Sequence, residues 1–377
     1  MAKKQVQIRH SRHNMDYVLL TVVLFLVVFG LLMIYSTSSY ESGDYYLKKQ
    51  LQSTIIGVVG LVIMIKFPYK HLQKFDFLAI FVSIVLLLLV MTPLGVERNH
   101  ARRWLDFKII SFQPAEVAKI GVIIYLASII EKLEAVGKNA IRTPKGLSII
   151  MIPPTIIAAL IYGITKNLSS AIIVMGIAVA MLFVAVPDYK WFVGIGATVV
   201  AAAAAIVLYV ANSDGGESGF RLARVRAWLD PESYSTDKAF QTLQALYAIG
   251  SGGIWGKGLG QSMQKRGFLP EAQNDMIFSI ICEELGLFGA MAVILLFIIL
   301  IWSCMVVANK AVDRFGSLLV VGVMAHYAIQ VILNIAVVTN TIPNTGITLP
   351  FISYGGTATL FLLAEIGIVL NVSKSCK

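Results

Sequence analysis

Asp275 stands where a polar loop, Gly267-Phe268-Leu269-Pro270-Glu271-Ala272-Gln273-Asn274, gives way to an apolar run that starts at Met276. A carboxylate at such a mouth is near water yet backed by a low-dielectric wall. Its proton affinity can be tuned there, and a sugar hydroxyl could be met. The plainer reading, and on position alone the commoner one, is that Asn274 or Asp275 only caps the helix that follows. Glu283 and Glu284 lie about 12 Å or more down the same helix at about 1.5 Å per residue. That is too far from Asp275 for the close carboxylate pair of a retaining glycosidase.

Glu116 and Lys119 are three residues apart inside another apolar run, hence on one helical face. Charges at membrane depth either neutralise each other or line a wet cavity. A pair that only fixes packing weighs about equally with direct contact to a ligand. His326, Gln330 and Asn334 recur every fourth residue and make a polar stripe. Such a stripe reads as interhelical hydrogen bonding before it reads as a proton path. Basic residues cluster twice outside the apolar runs. Arg98, Arg102, Arg103 and Lys108 share a segment with Glu97 and Asp106, and Arg221, Arg224 and Arg226 stand near Asp214, Glu217 and Asp230. These arginines fit an anionic ligand, or lipid headgroups and local ion pairs.

Other chemistries are excluded. The Gly-rich segment from Gly250 to Gly260 contains Gly256-Lys257, but Ser251 and Gly258 occupy places where a phosphate-binding loop needs glycine and a hydroxyl. Cys282, Cys304 and Cys376 are an odd number at unrelated positions, so no disulfide frame or cysteine metal site follows.

The elements that must position these groups are membrane helices. The chain is 57% hydrophobic and 14% charged, with a mean hydropathy of +0.78, too apolar for a soluble fold. Runs long enough to cross a bilayer fall at roughly 17–38, 50–66, 75–93, 113–131, 147–164, 168–186, 191–211, 276–302, 317–338 and 354–372. The fold class expected is an all-α polytopic membrane protein of about ten transmembrane helices. The first run is too long for a signal-peptide core and reads as a retained span. Lys3, Lys4, Arg9 and Arg12, then Lys66, Lys70 and Lys74, then Lys132, Lys138, Arg142 and Lys145, then Lys310 and Arg314 place basic charge on one side. The positive-inside rule makes that side cytoplasmic, with both termini there. A large extracellular loop, about 212–275, then separates spans seven and eight, and Asp275 faces outward. Residues 1–16 and 373–377 are tails around one domain at 17–372. Pro153-Pro154 should bend the fifth span, and the polar Thr339 to Tyr354 loop is expected to fold over a central cavity.

Three blocks carry a resemblance. Leu269-Pro270-Glu271 with Asp275-Met276-Ile277-Phe278 and Glu283-Glu284-Leu285-Gly286 is the first. Arg103-Trp104 followed by Gln113-Pro114-Ala115-Glu116 and Lys119 is the second, and Thr345-Gly346-Ile347-Thr348-Leu349-Pro350-Phe351-Ile352-Ser353-Tyr354-Gly355-Gly356 is the third. In this order they resemble the SEDS family of bacterial cell-wall proteins, the FtsW/RodA/SpoVE group, from Asp16 to about Val372. Where relatives often have Pro-Asp-Leu-Gly-Thr, this chain has Lys166-Asn167-Leu168-Ser169-Ser170, so no role passes to an acid there.

The resemblance implies a peptidoglycan glycosyltransferase of the bacterial cytoplasmic membrane. It would polymerise lipid II at the outer face with inversion, and Asp275 would be the general base. Substrate contacts are expected from Arg102, Arg103, Glu116, Lys119, Arg221, Arg224, Lys265 and Ser353. A divalent cation, Mg or Mn, could offset the leaving-group charge in place of arginine. A class B penicillin-binding protein is the expected partner alongside membrane lipids, with no nucleic acid. The competing readings are a lipid II flippase or transporter, and a scaffold without chemistry of its own.

Overall fold

The computed structural model describes residues 15–98, 101–107, 111–137, 139–186 and 239–376, with isolated positions between 190 and 232. It is mostly helical, at 73%. In chain order come α1 (Tyr17–Ser42), α2 (Tyr45–Lys66), a 3-10 turn (Tyr69–Phe75), α3 (Asp76–Leu89), α4 (Pro114–Val136), α5 (Pro144–Thr165), α6 (Leu168–Ala185), α7 (Phe240–Gly252), α8 (Ile277–Lys310), α9 (Arg314–Val338) and α10 (Ala358–Ser373). Among the described residues seven helical segments are long and apolar enough to cross a membrane. α4 fills the stretch read as a fourth span but carries Glu116, Lys119, Glu131, Lys132 and Glu134, and α10 is shorter, at 16 residues. The stretch at 191–211 lies largely outside the described residues.

Local chemistry starts the helices as expected in several places. Asp16, Thr143, Asn167 and Asp313 each accept from a backbone N–H in the first turn of α1, α5, α6 and α9. Asp313 also accepts from the Tyr69 hydroxyl at 2.6 Å and pairs with Lys70 at 3.3 Å. Burial pushes this carboxyl up, but the bonds from Tyr69, the Gly316 N–H and Lys70 outweigh it and hold its pKa below the usual value. At α8 the start differs from expectation. The cap position is Met276, which makes no side-chain cap bond, so Asp275 stands one residue outside it.

α4 and α9 are the inner helices. α4 is buried on nearly all sides from Pro114 to Ile130 and packs against α3, α5, α6 and α9. α5 continues across Pro153 and Pro154. The exposed faces of α1, α2, α3 and α8 are apolar, with side chains such as Phe25, Ile55, Phe81 and Phe288 turned outward, as lipid contact requires.

One feature is not helical. A three-stranded antiparallel sheet, β1 (Gly95–Arg98), β2 (Ala101–Asp106) and β3 (Ser111–Phe112), precedes α4. Alternation buries Ala101 and Leu105 and exposes Arg102. Strands of two to six residues leave too short a pattern to stand out beside spans of about 20 residues.

α8 is broken at Gly286, whose φ is 66°. Up to Glu284 its residues are buried, whereas Leu287, Phe288, Met291, Leu295, Ile298 and Trp302 beyond the break are exposed. The Gly-rich segment after α7 fills the break. Lys257 and Gly258 donate backbone bonds to the carbonyls of Glu283 and Glu284 at 2.9 Å, and Leu287 N–H donates to Gly253 at 3.0 Å. Side chains reinforce this pairing. Lys257 meets Glu283 at 2.7 Å, Lys265 meets Glu284 at 2.7 Å, and Ser36 of α1 donates to Glu284 at 2.9 Å. Buried charges at this depth persist only when paired.

A Cβ at Gly286 would lie 2.4 Å from the Gly256 nitrogen and the Ile254 oxygen, and the positive φ adds strain. Gly286→Ala is expected to cost about 2 kcal/mol or more. The check is thermal unfolding in detergent, with Gly60→Ala, where a Cβ meets nothing within 4 Å, staying close to the parent.

Candidate functional site

The segment from Thr339 to Thr357 is irregular, and its middle part around Ile347 to Ser353 is largely buried. Ile347, Leu349, Phe351, Ile352 and Ser353 are all under 5% exposed. Such backbone survives in a membrane protein only if its peptide groups are satisfied by protein. Surrounding helices supply the partners. Ser169 of α6 donates to the Thr345 carbonyl, Gln330 to Thr348 at 3.0 Å and Asn334 to Ile347 at 2.7 Å. From α2, the Gln50 oxygen accepts from the N–H groups of Gly355 and Gly356 at 3.3 and 3.2 Å.

Asp275 lies against this segment. The second amide hydrogen of Asn334 goes to the Asp275 carbonyl at 2.9 Å, so one side chain ties α9, the 347 turn and the mouth of α8 together. Gln241 of α7 donates to the Asp275 carboxylate at 3.3 Å and accepts from Asn344 at 2.9 Å. A Cβ on Gly346 would come 3.8 Å from Asp275 Oδ2. Tyr354 N–H donates to the Gln273 carbonyl at 2.8 Å. The candidate base is therefore held through its backbone, while its carboxylate points among amides.

The basic residues of β2 reach the same region by another route. Arg103 donates to the carbonyls of Thr165 at 3.2 Å and Lys166 at 3.3 Å, at the C-terminal end of α5, where a cation also suits the helix dipole. Lys166 adopts φ 50°, and Asn167 then caps α6. Ser169, two residues on, holds Thr345 beside Gly346. The turn that replaces the relatives' acidic motif thus joins Arg103 to the Asp275 segment. Arg102 is exposed and sits 3.9 Å from Glu97.

Deeper, Glu116 and Lys119 form an ion pair of 2.8 Å with side chains 9% and 2% exposed. Lys119 Nζ is also 2.9 Å from His326 Nε2, and His326 Nδ1 is 2.9 Å from Glu365. The stripe on α9 is therefore used at every step, by Lys119 and Glu365 at His326 and by the 347 turn at Gln330 and Asn334.

Two expected contact residues are placed elsewhere. Lys265 is 6% exposed and engaged with Glu284 and Ser36, which makes it an anchor of the loop instead of a surface cation. Ser353 is 3% exposed, and its hydroxyl accepts from Leu349 N–H at 2.8 Å, closing the turn around Pro350. Arg221 and Arg224 lie outside the described residues, as do the side chains of Arg98 and Lys108. Among the described residues no group of three or more His, Cys, Asp or Glu is arranged to hold a metal ion. Gln241, Gln50 and Glu365 were not singled out in the sequence. A glutamine on a short amphipathic helix and an isolated acid in the last span carry weak signals until their partners are known.

Residues 16–377 match the sequence profile of the FtsW/RodA/SpoVE group, described as cell cycle proteins. The chain belongs to that family. It is 35% identical over 372 residues to the probable peptidoglycan glycosyltransferase FtsW of Trichlorobacter lovleyi, covering 96% of this chain and 94% of the relative. It is also 35% identical to stage V sporulation protein E of Bacillus subtilis, covering 95% and 97%. Among solved structures, a chain of a peptidoglycan synthase complex that coordinates polymerization and crosslinking superposes with a TM-score of 0.78 at 23% identity, covering 95% and 97%. The rod shape determining protein RodA of Thermus thermophilus superposes at 0.65 and 24%, covering 95% and 96%. Like its family, this chain is a multi-pass protein of the cytoplasmic membrane.

The 2.8 Å pair in α4 generates a direct expectation. Lys119→Met leaves Glu116 as a lone buried charge and should cost about 3 kcal/mol or more, while the Glu116→Gln/Lys119→Met double change costs less. Thermal unfolding of the parent and the two purified variants checks this, and equal losses in the single and double variants would exclude pairing as the stabilising term.

Proposed function

We propose that this FtsW/RodA/SpoVE protein polymerises lipid II, the undecaprenyl-pyrophosphate disaccharide-pentapeptide, into glycan strands at the outer face of the cytoplasmic membrane. The observation that carries the reading is the placement of Asp275. Its backbone is anchored by Asn334, its carboxylate is met by Gln241, and the helix cap position belongs to Met276. The names of the curated relatives, which call them peptidoglycan glycosyltransferases, point the same way.

In this mechanism Asp275 takes the proton of the acceptor sugar's 4-hydroxyl as its oxygen attacks the donor's anomeric carbon. The bond to the lipid pyrophosphate breaks, and the configuration inverts. Arg102 and Arg103 offset the charge on the leaving pyrophosphate. Arg221 and Arg224 belong to the same proposed basic face. The Glu116–Lys119 pair lies beneath it and supports the charged part of the substrate. Buried oxygens of Asn274, Gln330, Asn334 and Thr345, which have no partner among the described residues, favour a ligand rich in hydroxyl and amide donors, as a disaccharide-peptide is. The distribution of basic residues supports a topology with both termini on the cytoplasmic side and the segment before α8 outside.

The proposed partner is a class B penicillin-binding protein, which would supply peptide cross-linking and whose single span would lie on the exposed apolar faces. The solved complex that superposes on this chain is one in which polymerization and crosslinking are coordinated.

Asp275→Asn is the test. Asn ranks with Asp as a cap, so a purely structural role predicts near-normal activity. As base, Asp275 is required, and its loss should lower polymerisation about 10²- to 10⁴-fold. The assay is glycan formation from labelled lipid II by purified protein, with thermal stability in detergent as folding control. Normal glycan from a stable Asp275→Asn protein would remove Asp275 as base and move the reading to lipid transport.

A further inference from the structure

α9 brings His326 between two charged side chains that come from different helices. Lys119 of α4 approaches Nε2 at 2.9 Å, and Glu365 of α10 approaches Nδ1 at 2.9 and 3.1 Å. All of these groups, with Glu116, are buried. The donor and acceptor roles are then restricted. An ammonium has only donors, so the imidazole must offer a lone pair at Nε2. A carboxylate has only acceptors, so Nδ1 must carry the hydrogen. Either contact alone selects the same neutral tautomer, and the two together hold the ring between Lys119 and Glu365.

Among the described residues, Lys119 Nζ is held on two sides, by the ion pair with Glu116 at 2.8 Å and by His326 at 2.9 Å. Contacts on two sides fix the direction of the remaining N–H. Without His326 the ammonium has one partner and can rotate about it. The other titratable groups packed here are Tyr327, whose hydroxyl donates to the Leu362 carbonyl at 2.7 Å, and the buried Cys304. Neither is hydrogen-bonded to the imidazole.

We propose that His326 and Glu365 are positioning residues: Glu365 holds the His326 ring in place, and the His326 lone pair aims the Lys119 ammonium at the substrate's anionic group. This rests on the glycosyltransferase reading for its effect on rate, but not for its geometry. The arrangement parallels the carboxylate that orients a working histidine, with the lysine here as the group being aimed. His326 also lies eight residues before Asn334 on α9, about 12 Å at the rise of a helix. The element that aims Lys119 is thus the one that anchors Asp275.

Two measurements test the proposal. The first is ¹⁵N NMR of histidine-labelled protein in nanodiscs, in which His326→Gln identifies the signal among the chain's 5 histidines. The expected spectrum has a protonated Nδ1 and an unprotonated Nε2, kept in Glu365→Gln because Lys119 still requires the Nε2 lone pair. A protonated Nε2 in the parent overturns the proposal. The second compares variants in lipid II polymerisation. His326→Leu should lower kcat/KM about tenfold or more, whereas His326→Gln, whose amide can accept from Lys119 and donate to Glu365, should restore most of it. Equal activity of both variants, high or low, overturns the aiming role. If His326→Leu does not fold, the spectrum and the Gln variant still decide. If the parent makes no glycan, the glycosyltransferase reading fails while the spectrum continues to judge the dyad.

Discussion

An irregular stretch of backbone buried among membrane helices is the constraint on which the rest of this structure depends. Between Thr339 and Thr357 the chain abandons helical hydrogen bonding, and each exposed peptide group there would cost several kcal/mol in a hydrocarbon setting. The helices therefore carry amides and hydroxyls at matching positions. Gln50, Ser169, Gln330 and Asn334 donate to or accept from that backbone. Polar residues that look out of place in apolar spans are there because the loop is.

The consequence for chemistry is a fixed site assembled from distant segments. Asn334 serves Ile347 and Asp275 with the two hydrogens of one amide, so the loop and the mouth of α8 cannot move independently without losing a buried bond. Ser169 and Arg103 extend the assembly to α6, α5 and the small sheet. The Asp275 segment and the Arg103 strand are thereby kept in register by contacts to backbone carbonyls. Rigidity of this kind is what positioning in a transfer reaction requires.

A second device protects the first. The carboxylates of Glu283 and Glu284 would be prohibitive if unpaired, and each receives a lysine from the Gly-rich loop, Lys257 and Lys265. Glycines at 256 and 286 let two backbones approach until no side chain fits between them. The break in α8 that results separates an inner, wholly buried segment next to Asp275 from an outer-faced segment suited to lipid. Glu-Glu-Leu-Gly thus reads as the receiving half of a clasp, and the Gly-rich stretch that imitates a phosphate loop reads as its other half.

Composition and periodicity by themselves determined that this is a helical membrane protein and where most spans lie, because apolar runs of span length have no other stable solution. The wording of three blocks determined the family and singled out Asp275, and spacing alone paired Glu116 with Lys119. Tertiary structure decided what spacing cannot express: that Lys265 and Ser353 are spent on internal bonds, that His326 joins Lys119 to Glu365, and that Gln50 and Gln241 hold the Gly355 turn and the Asp275 carboxylate. Those facts depend on which helices are neighbours. A residue's partners within one helix follow from the 3.6-residue repeat, but partners hundreds of residues away, such as Ser36 and Glu284, follow only from packing.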